Sequence, residues 1–160
     1  MFSLILRLLI MPLNIVLIEP EIPNNTGNIG RLSLASGSTL HLVKPLGFEL
    51  DDSRVKRSGL DYWKHVDLKI HDSADAFFQA HPNANMAFLS SHGTKSYLDI
   101  GFTDDMFLVF GKESVGLDPA ITKAQREQLF KIPTRSTHIR SLNLANAVSI
   151  VVYEGLRQLS

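Results

Sequence analysis

Asn14-Ile15-Val16-Leu17-Ile18-Glu19-Pro20-Glu21-Ile22-Pro23-Asn24-Asn25-Thr26-Gly27-Asn28-Ile29-Gly30-Arg31 sets an unbroken apolar run before a turn rich in proline, asparagine and glycine. A second stretch repeats the arrangement: Phe107-Leu108-Val109-Phe110 runs into Gly111-Lys112-Glu113-Ser114-Val115-Gly116-Leu117. Short continuous apolar runs are what strands covered on both faces require. Open α/β sheets place ligands at the carboxyl ends of such strands. Arg31 and Glu113, carried just beyond two of these ends, suggest an active site rather than packing alone.

Outward from these stretches, further strand-like runs fall at Thr39–Val43, Val66–Ile70, Met86–Ser90 and Leu129–Ile132. Helix-like segments alternate with them. Asn25–Ser36 stops at Gly37, a residue suited to a helix C-terminus, and Ser73–Ala80 opens on a capping serine and ends before Pro82. Pro119–Gln128 carries proline in its first turn. The last segment puts Leu144, Val148, Val151, Val152, Leu156 and Leu159 on one helical stripe. Strands alternating with helices predict an α/β fold with a mostly parallel sheet. With no linker or repeat, residues 11–160 read as one domain. Residues 1–10, apolar except for Ser3 and Arg7, read as a doubtful N-terminal extension, with Met11 as the expected start. That run is too short to span a bilayer.

Composition narrows the function. The chain of 160 residues is 44% hydrophobic and 20% charged, as in a globular domain with a sizeable core. It has no cysteine, which excludes disulfides, thiolate metal sites and cysteine nucleophiles and suits a cytoplasmic setting. Lys plus Arg and Asp plus Glu both count 16, so any nucleic-acid surface is a local patch. Such patches gather at Arg54, Lys56, Arg57 and Lys64, beside Tyr62 and Trp63, and at Lys131, Arg135, His138 and Arg140. Basic loops beside aromatic rings suit phosphate contact and base stacking, and equally suit solvated surface.

The remaining motifs divide by chemistry. A dinucleotide fingerprint needs G-x-G-x-x-G, and Asn25 stands where its first glycine belongs. Ser141 reads as the N-cap of the last helix. Asn143 and Asn146 give that helix a polar, ligand-facing start. The six histidines show no local ligand spacing, His41 reads as structural, and no metal site is expected.

Taken in order, Glu19-Pro20-Glu21-Ile22-Pro23, Asn25-Thr26-Gly27-Asn28-Ile29, Pro45-Leu46-Gly47-Phe48, Arg57-Ser58-Gly59-Leu60-Asp61-Tyr62, Phe110-Gly111, Ile132-Pro133 and Ser141-Leu142-Asn143-Leu144 resemble the SPOUT superfamily of RNA methyltransferases. The closest likeness is to its short single-domain branch, the tRNA wobble-nucleotide 2′-O-methyltransferases. The resemblance covers Leu13 to Leu159. It implies a C-terminal trefoil knot, a homodimer, and S-adenosylmethionine held in the knot by Leu89, Gly111, Ile132 and Ser141. It implies catalytic positions at Arg31, Glu113 and Asn143, with Tyr153 shaping the site, and tRNA contacts through Arg54, Arg57, Tyr62 and Arg140. Arg31 is expected to bind phosphate and orient the reacting hydroxyl, Glu113 to hold the loop or Arg31, and Asn143 to position substrate. The implied reaction is methylation of the wobble nucleotide's ribose in the anticodon stem-loop. Two alternatives are a related enzyme acting at another RNA position and a non-catalytic RNA-binding dimer that keeps the cofactor pocket. The chain departs from many relatives in having Lys112 in place of proline and Val115 in place of arginine.

Overall fold

The computed structural model describes residues 12–51, 53, 55 and 62–160. The doubtful extension over residues 1–10, the expected start at Met11, and the expected RNA-binding residues Arg54 and Arg57 lie outside the described residues. Seven strands form one sheet: β1 (Asn14–Ile18), β2 (Thr39–Val43), β3 (Leu68–His71), β4 (Met86–Leu89), β5 (Lys95–Ser96), β6 (Phe107–Phe110) and β7 (Leu129–Lys131). Their order is β3-β2-β1-β6-β4-β7-β5, and every pairing is parallel. Helices α1 (Pro23–Ser36), α2 (Ala74–Ala80), α3 (Pro119–Ala124) and α4 (Leu144–Leu159) fill the connections.

The apolar runs become strands because each feeds two cores. Ile15, Leu17, Leu40, Leu42, Leu108 and Phe110 face one side, where Ile29 of α1 and Val148, Val151 and Val152 of α4 cover them. Val16, Ile18, Val43, Val109 and Phe88 face the other, against Phe77 of α2 and Leu117. Alternate residues point to opposite faces, so a strand clad on both sides is apolar at most positions, and the buried polar residues Asn14 and His41 hydrogen-bond to each other. Gly37 ends α1 in the left-handed region at φ 67°, and the Ser73 hydroxyl caps α2 by accepting from Ala76 N.

Some boundaries shift. The third strand begins at Leu68 rather than Val66, because residues 63–65 form a 3₁₀ turn to which Val66 N donates. The two-residue β5 had no counterpart in the sequence reading.

The end of the sheet carrying β7 fixes the topology. β7 lies between β4 and β5, strands formed earlier in the chain and joined by residues 90–94. Ser90 N donates to Phe130 O of β7 at 2.9 Å. Gly93 passes so close over β7 that a Cβ there would stand 2.5 Å from Phe130 C and 2.7 Å from its carbonyl oxygen. A late segment has thus passed beneath an earlier connection, the crossing a trefoil knot requires and one that sequence periodicity does not encode.

Candidate active site

Parallel pairing brings the carboxyl ends of β1, β6, β4 and β7 to one edge. Leu89 of β4 registers with Phe110 of β6 on one side and Phe130 of β7 on the other. Leu89, Gly111 and Ile132, three of the four residues expected at the cofactor, therefore meet at adjacent strand ends. Leu89 and Gly111 are buried and Ile132 is half-buried. Ser141 is exposed, in the turn before α4. Among the described residues, the backbone amides of residues 132–142 donate to no other backbone group. Apolar strand ends followed by a loop whose amides are not taken up by the backbone, with His138 N donating to Ser136 Oγ, fit a nucleoside held largely through backbone contacts.

Gly111 is required for a reason internal to the site. A Cβ there would fall 2.1 Å from Gly116 C and 2.2 Å from Leu117 N. The 111–117 loop closes on itself against this glycine, and an antiparallel bridge between Lys112 and Gly116 holds it shut.

This loop is fastened to the one after β1 by three acids. Glu113 accepts from Glu21 N at 2.7 Å, Ile22 N at 3.1 Å and Asn25 Nδ2 at 3.3 Å. Glu21 accepts in turn from the Ser114 amide and hydroxyl, both at 2.9 Å. Glu19 pairs with Lys112 at 2.7 Å, so the lysine is anchored in this same clamp. That hydrogen bond and the carboxylate charge raise the Lys112 pKa. The physical logic lies in α1. Its N-cap is Ile22, whose side chain cannot accept, so the helix's orphan amides need an outside acceptor. The Glu113 carboxylate takes the amide of the N-cap Ile22 and that of Glu21 before it, and its charge suits the positive end of the helix.

Asn143 extends the network. Its Oδ1 accepts from Ala145 N at 2.9 Å and Asn146 N at 3.3 Å, making Asn143, not Ser141, the cap of α4. The helix starts at Leu144, which leaves Ser141 outside its first turn. Asn143 Nδ2 donates to Asn25 Oδ1 at 3.0 Å. Glu113, Asn25 and Asn143 thus link three segments distant in the chain, and Asn25 is the member the sequence reading did not assign to the site. Its place in the Asn-Thr-Gly-Asn turn next to a buried helix start was the available signal. Asn143→Ala removes the cap and the link together. Its expected cost is about 1 kcal/mol for the cap, read as a lower urea midpoint with unchanged m-value.

Arg31 and Tyr153 stand apart from this network. Arg31 is exposed on α1, with its guanidinium 5.7 Å from the centre of the Tyr62 ring. Glu113 therefore holds the β1 loop and the start of α1, and its hydrogen bonds do not reach Arg31. Trp63 lies flat on α1 beside the arginine: a Cβ on Gly30 would meet its ring at 2.4 Å. Burial raises the Tyr62 pKa, partly offset by Arg31. Tyr153 is 50% exposed on α4, Arg140 is exposed on the loop before it, and Val115 is 71% exposed.

Comparisons with known proteins point to one family. The model of the SpoU rRNA Methylase family matches residues 12–153. The tRNA (cytidine(34)-2′-O)-methyltransferase of Yersinia pestis is 45% identical, over 92% of this chain and 94% of its own length. A solved structure described as giving insight into the 2-OH methylation of C/U34 on tRNA superposes with TM-score 0.88 and 45% identity, covering 93% of this chain and 97% of that one. The SpoU methyltransferase AviRb from Streptomyces viridochromogenes, solved with AdoMet, superposes with TM-score 0.78 at 25% identity, covering 94% of this chain and 58% of that one.

Proposed function

This chain belongs to the SpoU rRNA methylase family, whose fold is the SPOUT α/β knot, and from that premise we propose that it methylates the ribose 2′-hydroxyl of the wobble nucleotide, cytidine 34, in the anticodon loop of tRNA. The observation that carries the reading is the 45% identity to a cytidine-34 enzyme over 92% of this chain, and the meeting of the ends of β4, β6 and β7 at one sheet edge supports a cradle there for S-adenosylmethionine. That cofactor supplies an electrophilic methyl group when bound. Leu89, Gly111, Ile132 and Ser141 hold it, the first three at the sheet edge and the last through the loop before α4.

The protein's own task is to aim a hydroxyl and steady the charge that develops on it. Arg31 takes that role. Its guanidinium offers a planar fork of donors, so it binds the neighbouring phosphate and polarises the hydroxyl rather than acting as a simple base. Glu113, Asn25 and Asn143 act as positioning residues, locking the loops after β1 and β6 and the start of α4 into one frame. Asn143 keeps one amide hydrogen free for substrate.

The site is completed by a second copy of the chain. Leu34 on α1 and Ile150 and Tyr153 on α4 are exposed apolar groups on two helices that pack together, a surface suited to a homodimer. Arg31 of one copy then serves the cofactor cradle of the other, which accounts for its separation from the Glu113 network. Tyr62 and Trp63 give a nearby aromatic shelf for an unstacked base, and Arg140 and Arg31 supply phosphate contacts. The enzyme works in the cytoplasm on the anticodon stem-loop; no helix among the described residues is long and apolar enough to cross a membrane.

A transcript carrying a 2′-deoxy sugar at nucleotide 34 tests the assignment. It is expected to compete with normal tRNA for binding while accepting no labelled methyl group. Undiminished labelling of that transcript would place the reaction elsewhere.

A further inference from the structure

Three histidines that play no part in this reaction meet on the sheet face opposite α1 and α4. His41 lies in β2, His71 ends β3, and His81 follows α2. One ring nitrogen from each lies within 4.8 Å of the other two. His41 is fully buried, whereas His71 and His81 are half-buried and open a path to solvent. Phe77 and Phe107 wall the cluster, with ring centres 5.0 Å from His71 and 4.7 Å from His81 respectively.

A chain of hydrogen bonds orients the deepest ring. Asn14 Nδ2 donates to the Asp105 carboxylate at 2.9 Å and to its carbonyl at 3.1 Å. The amide oxygen is thereby turned to His41 Nε2 at 2.9 Å. An amide oxygen only accepts, so His41 Nε2 carries the hydrogen and Nδ1 presents a lone pair. That lone pair faces His71 Nε2 at 3.0 Å. A histidine whose far nitrogen donates to an oxygen is the arrangement that orients metal-ligating imidazoles.

The surroundings of two of the rings, His41 and His71, favour their neutral form. Burial, then His71, Lys69 and His81, push His41 down to about 4, with Asp67 opposing. Burial, then His81 and Lys69, lower His71, with Asp72 opposing. Neutral imidazole is the species that binds metal. Lys69 works against an incoming cation; Asp67 and Asp72 work for it.

We propose that His41, His71 and His81 form a three-imidazole site for a divalent transition ion of the zinc class, clasping β2, β3 and the end of α2. Imidazole sets select zinc, copper and nickel over magnesium and calcium, and three histidines leave a fourth position to water on the open side. On binding, the His71 hydrogen moves from Nε2 to Nδ1, the His41–His71 hydrogen bond gives way to two metal–nitrogen bonds, and the rings close by small side-chain adjustments. The local spacing of the histidines shows no sign of this, because residues 41, 71 and 81 converge only through strand pairing and the return of α2.

The test uses the full chain without an affinity tag, stripped by chelator, then titrated with Zn²⁺ by calorimetry and with Co²⁺ by visible absorbance. One ion per chain, Co²⁺ ligand-field bands, and a thermal midpoint raised by Zn²⁺ but not Mg²⁺ are the expected results. His81→Ala and His71→Ala, both at half-buried positions, are each expected to weaken Zn²⁺ at least about tenfold and lose the Co²⁺ bands; metal-free thermal scans check that both remain folded. Absence of saturable binding, equal binding of Mg²⁺, or full affinity in both folded variants would overturn the site.

Discussion

Arg31→Ala is expected to reduce methyl transfer by about 10²–10³-fold in kcat, the usual loss when one preorganised donor to developing charge is removed. Affinity for S-adenosylmethionine should stay at the parent value, because the proposed cradle is built from Leu89, Gly111, Ile132 and Ser141 on other segments. The fold should tolerate the change. Arg31 is exposed, and what it gives up among described residues is its place over the Tyr62 ring, a contact of about 0.5–1 kcal/mol at exposed sites. Arg31→Lys separates charge from geometry. A lysine keeps the positive charge but loses the planar fork, so partial activity with a raised KM for tRNA indicates phosphate contact, while a kcat as low as alanine's indicates alignment of the hydroxyl. Mixing inactive Arg31→Ala subunits with subunits defective in the cofactor cradle adds a test of geometry. If Arg31 serves the partner's cradle, the mixed dimer regains one working site, built from the intact cradle of the Arg31→Ala subunit and the Arg31 of the cradle-defective subunit. An Arg31→Ala enzyme with unchanged kcat would remove this residue from the reaction.

Gly93→Ala should be strongly damaging, because the added methyl group meets backbone rather than a side chain that can move aside. Alanine is usually cheap in a turn, and nothing local forbids it here. The obstacle is the crossing strand: the new Cβ would sit 2.5 Å from Phe130 C, 2.7 Å from Phe130 O and 2.9 Å from Lys131 N. All three are backbone atoms of β7, flanked by β4 and β5, so no side-chain rotation relieves the contact. Forced overpacking typically costs about 1–3 kcal/mol, occasionally more, against a total stability of about 5–15 kcal/mol for a domain. The expected result is a fall in the denaturation midpoint equivalent to about 3 kcal/mol, with weakened cofactor binding because Leu89 and Ile132 flank the crossing. Gly101→Ala is the control, since a Cβ there meets nothing within 4 Å. Equal stability of the two variants would contradict the close crossing.

These two sites also mark where sequence reading succeeds and where it stops. β1, β2 and β6 were legible to the residue because strands covered on both faces leave a mostly apolar run, broken only by Asn14 in β1 and by Thr39 and His41 in β2. Gly37 and Ser73 announced helix ends through local chemistry that the structure retains. β5 was not legible: Lys95–Ser96 is polar and two residues long, and it is a strand only because Phe130–Lys131 lies alongside. Gly93 drew no reading from the sequence, and its reason lies in a strand some forty positions later. At α4 the rule for capping residues was sound but two candidates satisfied it, and the geometry chose Asn143 over Ser141. Glu113 was found, yet its partners were not, since a helix start held by a carboxylate from ninety residues away leaves no local trace. The knot came from resemblance to a family, not from periodicity or composition.

The central claim is the position of the methyl group. Total tRNA lacking this modification, incubated with the purified chain and labelled S-adenosylmethionine, should gain 2′-O-methylcytidine, and fragment mass mapping should place it at nucleotide 34. Label confined to another nucleotide, or cofactor binding with no transfer to any tRNA, would contradict the account.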